Sequence, residues 1–366
     1  MSLASLIATG TKVWLDGVDP NDIGAQRAWG VTGATSNPTI VSQILSRGHL
    51  DDRLRELIGQ GLGDDQIAWA LADELVGSAQ QVFRPVWQST SGDDGYVSFE
   101  LDPLIEDDAA GLAHAKRVDR YVALGKRWSA GHDNRMIKVP ATRAGVDAME
   151  PLAAAGVTIN VTLIFTGNQY RAARDAIWRG ARRRDNGLHD FKSVYSIFVS
   201  RVDVYTDAHV PELGPGAQGM VGIVNAKRIW QENAEFWRDK RPRLRQEIVF
   251  ASTGVKNPAD SPDKYAEAFA GGDIQTNPPA TNHAIEASSK TYAALIDRMP
   301  SAGILDDIDR KVGAEAMERV LMREGIEKFA DAQRAMLAII SQKRASLHGG
   351  GARPSHAFGD HAGKGA

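Results

Sequence analysis

Apolar positions along this chain alternate between two rhythms. Short runs rich in Val, Ile, Phe and Leu read as strands near Lys12–Asp16, Gly30–Ser36, Tyr96–Leu101, Arg135–Val139, Val157–Leu163, Ser193–Val199, Glu247–Ser252 and Asp273–Thr276. Between them lie amphipathic stretches with helical spacing at Ile67–Val82, Leu112–Arg127, Asn168–Arg182, Val221–Arg238 and Asn282–Arg298. Strands that alternate with helices build a parallel sheet, and this number of strands suits closure. The expected fold class is therefore α/β, a single (β/α)8 TIM-type barrel with extra helices. A doubly wound open sheet is the alternative.

The spacing also marks additions to a plain barrel. Pro38 stands where the first turn of a helix accepts proline, and the segment from Thr39 to Ser91 is too long for a simple crossover. An inserted helical excursion is predicted there. Thr206–Gln218, broken by Pro211, Gly214, Pro215 and Gly216, reads as a loop. From Gly303 to about Ser346, apolar residues recur at helical spacing through Leu305, Ile308, Val312, Met317, Leu321, Phe329 and Met336, and this helix is expected to lid part of the barrel mouth. The barrel domain is assigned to residues 1–346, and the Gly- and His-rich tail 347–366 is expected to be disordered.

Barrel chemistry sits at the C-terminal ends of strands, and strand alternation tests which side chains point inward. Lys138 shares parity with Met136, Asn160 with Thr158 and Thr162, Ser196 with Phe198, and Glu100 with Ser98. Ile137, Val139, Ile159, Val161 and Leu163 then face the helices. Asp16 ends the first strand, and Asn37 closes the second. Six strands thus carry a polar or ionisable group near their ends, more than satisfied core polar residues readily explain. Lys138 is the sharpest of these. An ammonium in an apolar strand is costly, and burial favours the neutral amine that Schiff-base chemistry needs; pairing with a carboxylate is the other explanation. Asp16 and Glu100 are acid/base candidates, or strand-end caps of neighbouring helices. Arg201 and Lys256, after the sixth and seventh strands, sit where barrels often bind phosphate, although isolated cations are more often surface charges.

Composition narrows the partners. The 366 residues carry a net charge of −3, so no basic field draws nucleic acid. The densest basic cluster, Arg179–Arg184, reads as the solvated end of a helix. The absence of cysteine removes disulfides, thiolate nucleophiles and Cys-ligated metals. Met1–Gly10 lacks the basic start and length of a signal peptide, and no run is long enough to span a bilayer, so a cytoplasmic location without membrane partner is expected. The histidines His348, His356 and His361 are read as solvated, and no metal is called for. Asn160-Val-Thr162 is formally a glycosylation sequon, but it lies in a buried strand.

Thr32–Thr39, Val97–Asp102, Met136–Thr142, Asn160–Phe165, Ser196–Arg201, Ala251–Asn257 and Arg323–Phe329, in that order, closely resemble the motifs of the transaldolase family. The likeness is to its longer bacterial and plant-like branch. It implies a barrel enzyme of Schiff-base type with no metal or organic cofactor, acting on small-molecule sugar phosphates. Dihydroxyacetone would pass from sedoheptulose 7-phosphate or fructose 6-phosphate to glyceraldehyde 3-phosphate or erythrose 4-phosphate, in the non-oxidative pentose phosphate pathway. By that resemblance Lys138 is the Schiff-base lysine and Asp16 the acid/base on the C4 hydroxyl. Glu100 acts through a water that Thr162 positions. Asn37, Asn160 and Ser196 hold the three-carbon unit, with Phe198 counted in the binding set, and Arg201 and Lys256 bind phosphate. Ile197 and Ser200 depart from the proline and glycine of other branches without carrying chemistry, Ala34 replaces a bulkier valine without changing the spacing to Asn37, and Lys256 stands where other branches place arginine. A fructose 6-phosphate aldolase is the nearest rival, but that relative is shorter and carries tyrosine and glutamine where Phe198 and Glu100 stand. A sugar-phosphate-binding barrel without turnover is the second alternative. A monomer or homodimer is expected.

Overall fold

A computed structural model describes residues 2–349, excluding the side chains of 347–349. Eight strands, β1 (Lys12–Asp16), β2 (Gly33–Thr35), β3 (Val97–Glu100), β4 (Arg135–Pro140), β5 (Ile159–Ile164), β6 (Ser193–Phe198), β7 (Glu247–Ala251) and β8 (Ile274–Asn277), close into a parallel barrel in chain order. Closure is made by β8 against β1, with Lys12 opposite Ile274 and Trp14 opposite Thr276. Both faces of such a sheet are buried, which explains the apolar runs. Val13, Leu15, Val97, Phe99, Ile137, Val139, Val161, Tyr195, Ile197, Ile248 and Phe250 face the helices in one continuous core.

The barrel interior is layered. Trp14, Tyr96, Met136, Val194, Val249 and Ile274 form an apolar plug inside it. Gly33 is required there, because a Cβ on it would lie 2.7 Å from the Trp14 indole and from the Tyr96 carbonyl oxygen. On the N-terminal side of the plug, Lys12 and Lys192 share Glu247 at 2.9 and 2.5 Å, and Lys12 also reaches Asp93 at 3.2 Å. Ion pairing at that face is a matter of stability. Toward the C-terminal ends the interior turns polar, and the candidate residues cluster there.

The inserted excursion consists of three helices, Pro38–Ser46, Asp51–Gly59 and Asp64–Ser89. Four expectations are corrected. The helix predicted at Asn282–Arg298 spans Pro279–Ala287. Beyond it the chain is tied down by tertiary bonds, Tyr292 N to Ser5 Oγ and Leu295 N to Ala270 O, which local periodicity does not encode. Thr206–His209 belongs to a helix, Ser200–His209, and the loop begins after it. The C-terminal helix is two, Ala302–Lys311 and Ala314–Gly349, parted at Gly313 and at Val312, whose backbone is extended. Arg184 is not solvated: its buried guanidinium pairs with Asp190 at 2.6 Å, whereas Arg179 and Arg183 are exposed and pair with Glu150. The expected tail, residues 347–366, lies outside the described residues apart from the helical backbone of 347–349. No helix among the described residues is long and apolar enough to cross a membrane.

Candidate active site

The strand ends deliver the predicted groups to one place. Asp16, Asn37, Lys138, Ser196, Phe198, Arg201 and Lys256 all line a single cavity of about 300 Å³. Glu100, Asn160 and Thr162 do not line it but stand in its buried wall. Register explains the grouping: Glu100 lies opposite Lys138, and Lys138 opposite Asn160, so three neighbouring strands present three inward polar groups side by side.

Lys138 Nζ donates to Glu100 Oε2 at 2.8 Å and to the Ser36 carbonyl at 3.2 Å, with both side chains buried. Asp16 accepts from the Thr35 hydroxyl at 3.0 Å, and Thr35 meets Thr276 at 2.9 Å. Ser196 Oγ donates to Asn160 Oδ1 at 2.7 Å, and Asn160 Nδ2 donates to Ser98 Oγ at 2.8 Å, which fixes the asparagine's orientation. Asn37 serves two ends: its side-chain oxygen caps the helix Pro38–Ser46 by accepting from Ile40 N at 3.1 Å, which leaves its amide NH2 for the cavity. The Thr162 hydroxyl is buried with no hydrogen-bond partner among the described residues.

Burial sets the electrostatics. It pushes the Asp16 carboxyl up, against the pull of Lys138 and the Thr35 bond. It pushes Glu100 up in the same way, again against Lys138. Arg201 is pulled down by burial, and Lys328 by burial and by the nearby charges of Arg201 and Lys256. These three cations therefore converge, and none of them forms a salt bridge among the described residues. Unpaired cations grouped in one cavity suit an anion such as a phosphate group.

Lys328 was not identified from the sequence, and neither were Phe329, Thr35 and Thr276 as lining residues. Lys328 and Phe329 come from the helix Ala314–Gly349, which lies over the cavity as expected of a lid. The Phe329 ring centre is 5.9 Å from Lys138 Nζ and 5.8 Å from the Arg201 guanidinium. Gly325 allows this approach, since a Cβ there would lie 3.0 Å from Leu163 and 3.4 Å from Arg201. Leu163 itself departs from the expected alternation. The β5–β6 register shifts between Val161 and Ile164, Leu163 takes φ +56°, and its side chain joins Phe165, Phe198 and Phe329 under the lid. Such a backbone conformation is costly for a leucine and marks a place held by its surroundings. Thr35 and Thr276 had a readable signal, the parity of their strands. Lys328 had none beyond the motif it sits in.

The profile of the Transaldolase/Fructose-6-phosphate aldolase family matches residues 13–340. The chain belongs to that family. It is 32% identical to "Transaldolase 2" of Streptomyces coelicolor, over 92% of this chain and 95% of that protein. It is 31% identical to "Transaldolase" of Mycobacterium tuberculosis, over 90% and 93%. With "Transaldolase 2" of Streptomyces avermitilis the identity is 30%, over 90% and 93%. Family membership and the closed parallel barrel agree with the resemblance carried by the strand-end motifs.

Proposed function

We propose that this protein is a transaldolase in which Lys138 forms the Schiff base and Glu100 and Asp16 move the protons. The observation that carries the reading is the buried Lys138–Glu100 pair at 2.8 Å, set in a cavity that also holds Asp16 and three unpaired cations. At that distance one proton can pass from the ammonium to the carboxylate, giving a neutral amine and a carboxylic acid. Burial, which lifts the Glu100 carboxyl, favours that direction. The amine attacks the ketose C2 carbonyl. Glu100 then protonates the departing hydroxyl, water leaves, and the iminium remains on Lys138. Thr162 holds the water involved, a role supported by its buried hydroxyl, which has no partner among the described residues.

Asp16 next accepts the C4 hydroxyl proton. The C3–C4 bond breaks, the aldose phosphate departs, and the bonding pair passes into an enamine on Lys138. Addition of the enamine carbon to an acceptor aldehyde, with return of the proton from Asp16, reverses these steps. Asn37, Asn160 and Ser196 hold the hydroxyls of the three-carbon unit, with Phe198 packed beside them. Arg201 and Lys256, joined by Lys328, bind the phosphate. The donors are sedoheptulose 7-phosphate or fructose 6-phosphate, and the acceptors glyceraldehyde 3-phosphate or erythrose 4-phosphate. The protein works as a monomer or homodimer in the cytoplasm, with neither nucleic acid nor membrane as partner.

Borohydride reduction in the presence of fructose 6-phosphate, followed by peptide mapping, tests the reading. An adduct on Lys138 that disappears in Lys138→Ala is expected, and no adduct in the wild type would overturn it. The aldolase alternative is separated by incubation with fructose 6-phosphate alone. Steady release of free dihydroxyacetone without an acceptor would reassign the chain.

A further inference from the structure

Gln333 plays no part in the steps above, yet its environment is hard to explain by packing. It lies on the helix Ala314–Gly349, is 1% exposed, and neither its amide oxygen nor its amide nitrogen has a hydrogen-bond partner among the described residues. Leaving such groups unpaired costs on the order of 1–3 kcal/mol each, and a leucine or methionine would fill the position without that cost. The side chain borders a second, small cavity of about 20 Å³, shared with Ser36, Asn37, Phe99, Glu100 and Met336. A single water needs roughly 10–15 Å³ and two or more polar partners, so the space suits one water and little else. Glu100 takes the Lys138 bond on Oε2, and among the described residues no donor bonds its other oxygen.

We infer that this cavity is a site for one structural water that links the Gln333 amide to the Glu100 carboxylate, making Gln333 a positioning residue for Glu100. The C-terminal helix then does more than cover the cavity: it holds the carboxylate that exchanges a proton with Lys138. The site lies outside the substrate cavity, whose lining does not include Gln333. The inference rests on the proton-transfer role proposed above for Glu100.

The sign of the effect follows from the charges facing Glu100. These are Lys138 on β4, Asp16 on β1, Arg201 after β6 and the Tyr121 hydroxyl from the helix His114–Ser129. A water donating to the carboxylate joins Lys138 and Arg201 in favouring its charged form. Its loss favours the protonated form.

The test uses the full chain carrying Gln333→Leu, with Gln333→Met as a second variant of different shape. The acidic limb of the kcat/KM profile should move to higher pH by about 0.5–1 unit in both. At the acidic end kcat should fall about 3- to 10-fold, while KM for fructose 6-phosphate stays within about twofold. A merely structural glutamine would change the melting temperature and leave the limb where it is. That outcome, in a folded variant, would overturn the inference. Should neither variant fold, a high-resolution crystal structure of the wild type decides: a water within hydrogen-bonding distance of both Gln333 and Glu100 supports the inference, and a dry cavity refutes it. Borohydride trapping of the wild type separates the two levels. An adduct at Lys138 with an unmoved limb sinks this inference alone, whereas no adduct sinks the proposed function and this inference with it.

Discussion

Replacing Glu100 with glutamine keeps the shape of the wall but removes the charge that faces Lys138. At 2.8 Å and an effective dielectric constant near 20, the gross Coulomb attraction is about 6 kcal/mol. Part of this is offset by the desolvation of Glu100, which burial already holds toward its neutral form, and by the glutamine carbonyl that takes over the hydrogen bond. The ammonium would otherwise keep only the Ser36 carbonyl at 3.2 Å. Breaking a buried pair from one side costs about 3–5 kcal/mol, and we take the lower end, about 3 kcal/mol, for Glu100→Gln. Lys138→Met should cost less, about 1–2 kcal/mol, because the stranded carboxyl can take up a proton. The double variant leaves no buried charge in the pair and should lie within about 1 kcal/mol of the wild type. The cycle therefore gives a coupling of about 3–6 kcal/mol, measured by denaturant unfolding at constant m-value. Trapping with borohydride should vanish in both proteins that lack the lysine. In Glu100→Gln it should persist but slow by about 10²–10⁴-fold, the usual range for loss of a positioned acid or base. If the two single effects add to within about 0.5 kcal/mol, the ion pair is not coupled and the proton-transfer step drawn from it fails.

Two further outcomes are expected from the same cavity. Asp16 must be ionised to accept the C4 hydroxyl proton, as Glu100 must be to take the proton of Lys138, and burial raises both pKa values, so kcat/KM should fall along a two-proton limb, as pH drops, at a higher pH than an ordinary carboxylate near 4 would give. A pH–rate profile that stays flat down to pH 4 would remove Asp16 from that role. Lys328→Gln should raise KM for sugar phosphates about 10-fold, equivalent to about 1.4 kcal/mol of binding, with kcat little changed. Competitive inhibition by inorganic phosphate should weaken in parallel, and an unaltered KM and inhibition constant would exclude the lysine from the anion site.

Much of the site was legible in strand parity. Lys138, Glu100, Asn160 and Ser196 were placed correctly because alternation along a strand is a local rule, and neighbouring strands of a parallel barrel put their inward residues side by side. The rule failed at Leu163, where the register shift and a positive φ turn the side chain under the lid instead of toward the helices. Periodicity also carried the helical expectation past Ala287 into a segment whose backbone is held by Ser5 and Ala270, far away in sequence.

The sequence by itself determined the eight strands, the inserted helical excursion and the family, through ordered motifs and local spacing. It led to the expectation that the C-terminal helix lids the barrel mouth, but not to which of its residues meet the cavity. Helical periodicity distinguishes a buried face from a wet one, but not what that face is buried against. Only the tertiary structure decided that Phe329 and Lys328 meet the cavity and that Gln333 is sealed beside Glu100, because those placements depend on where a helix from the end of the chain lands on strands from its middle.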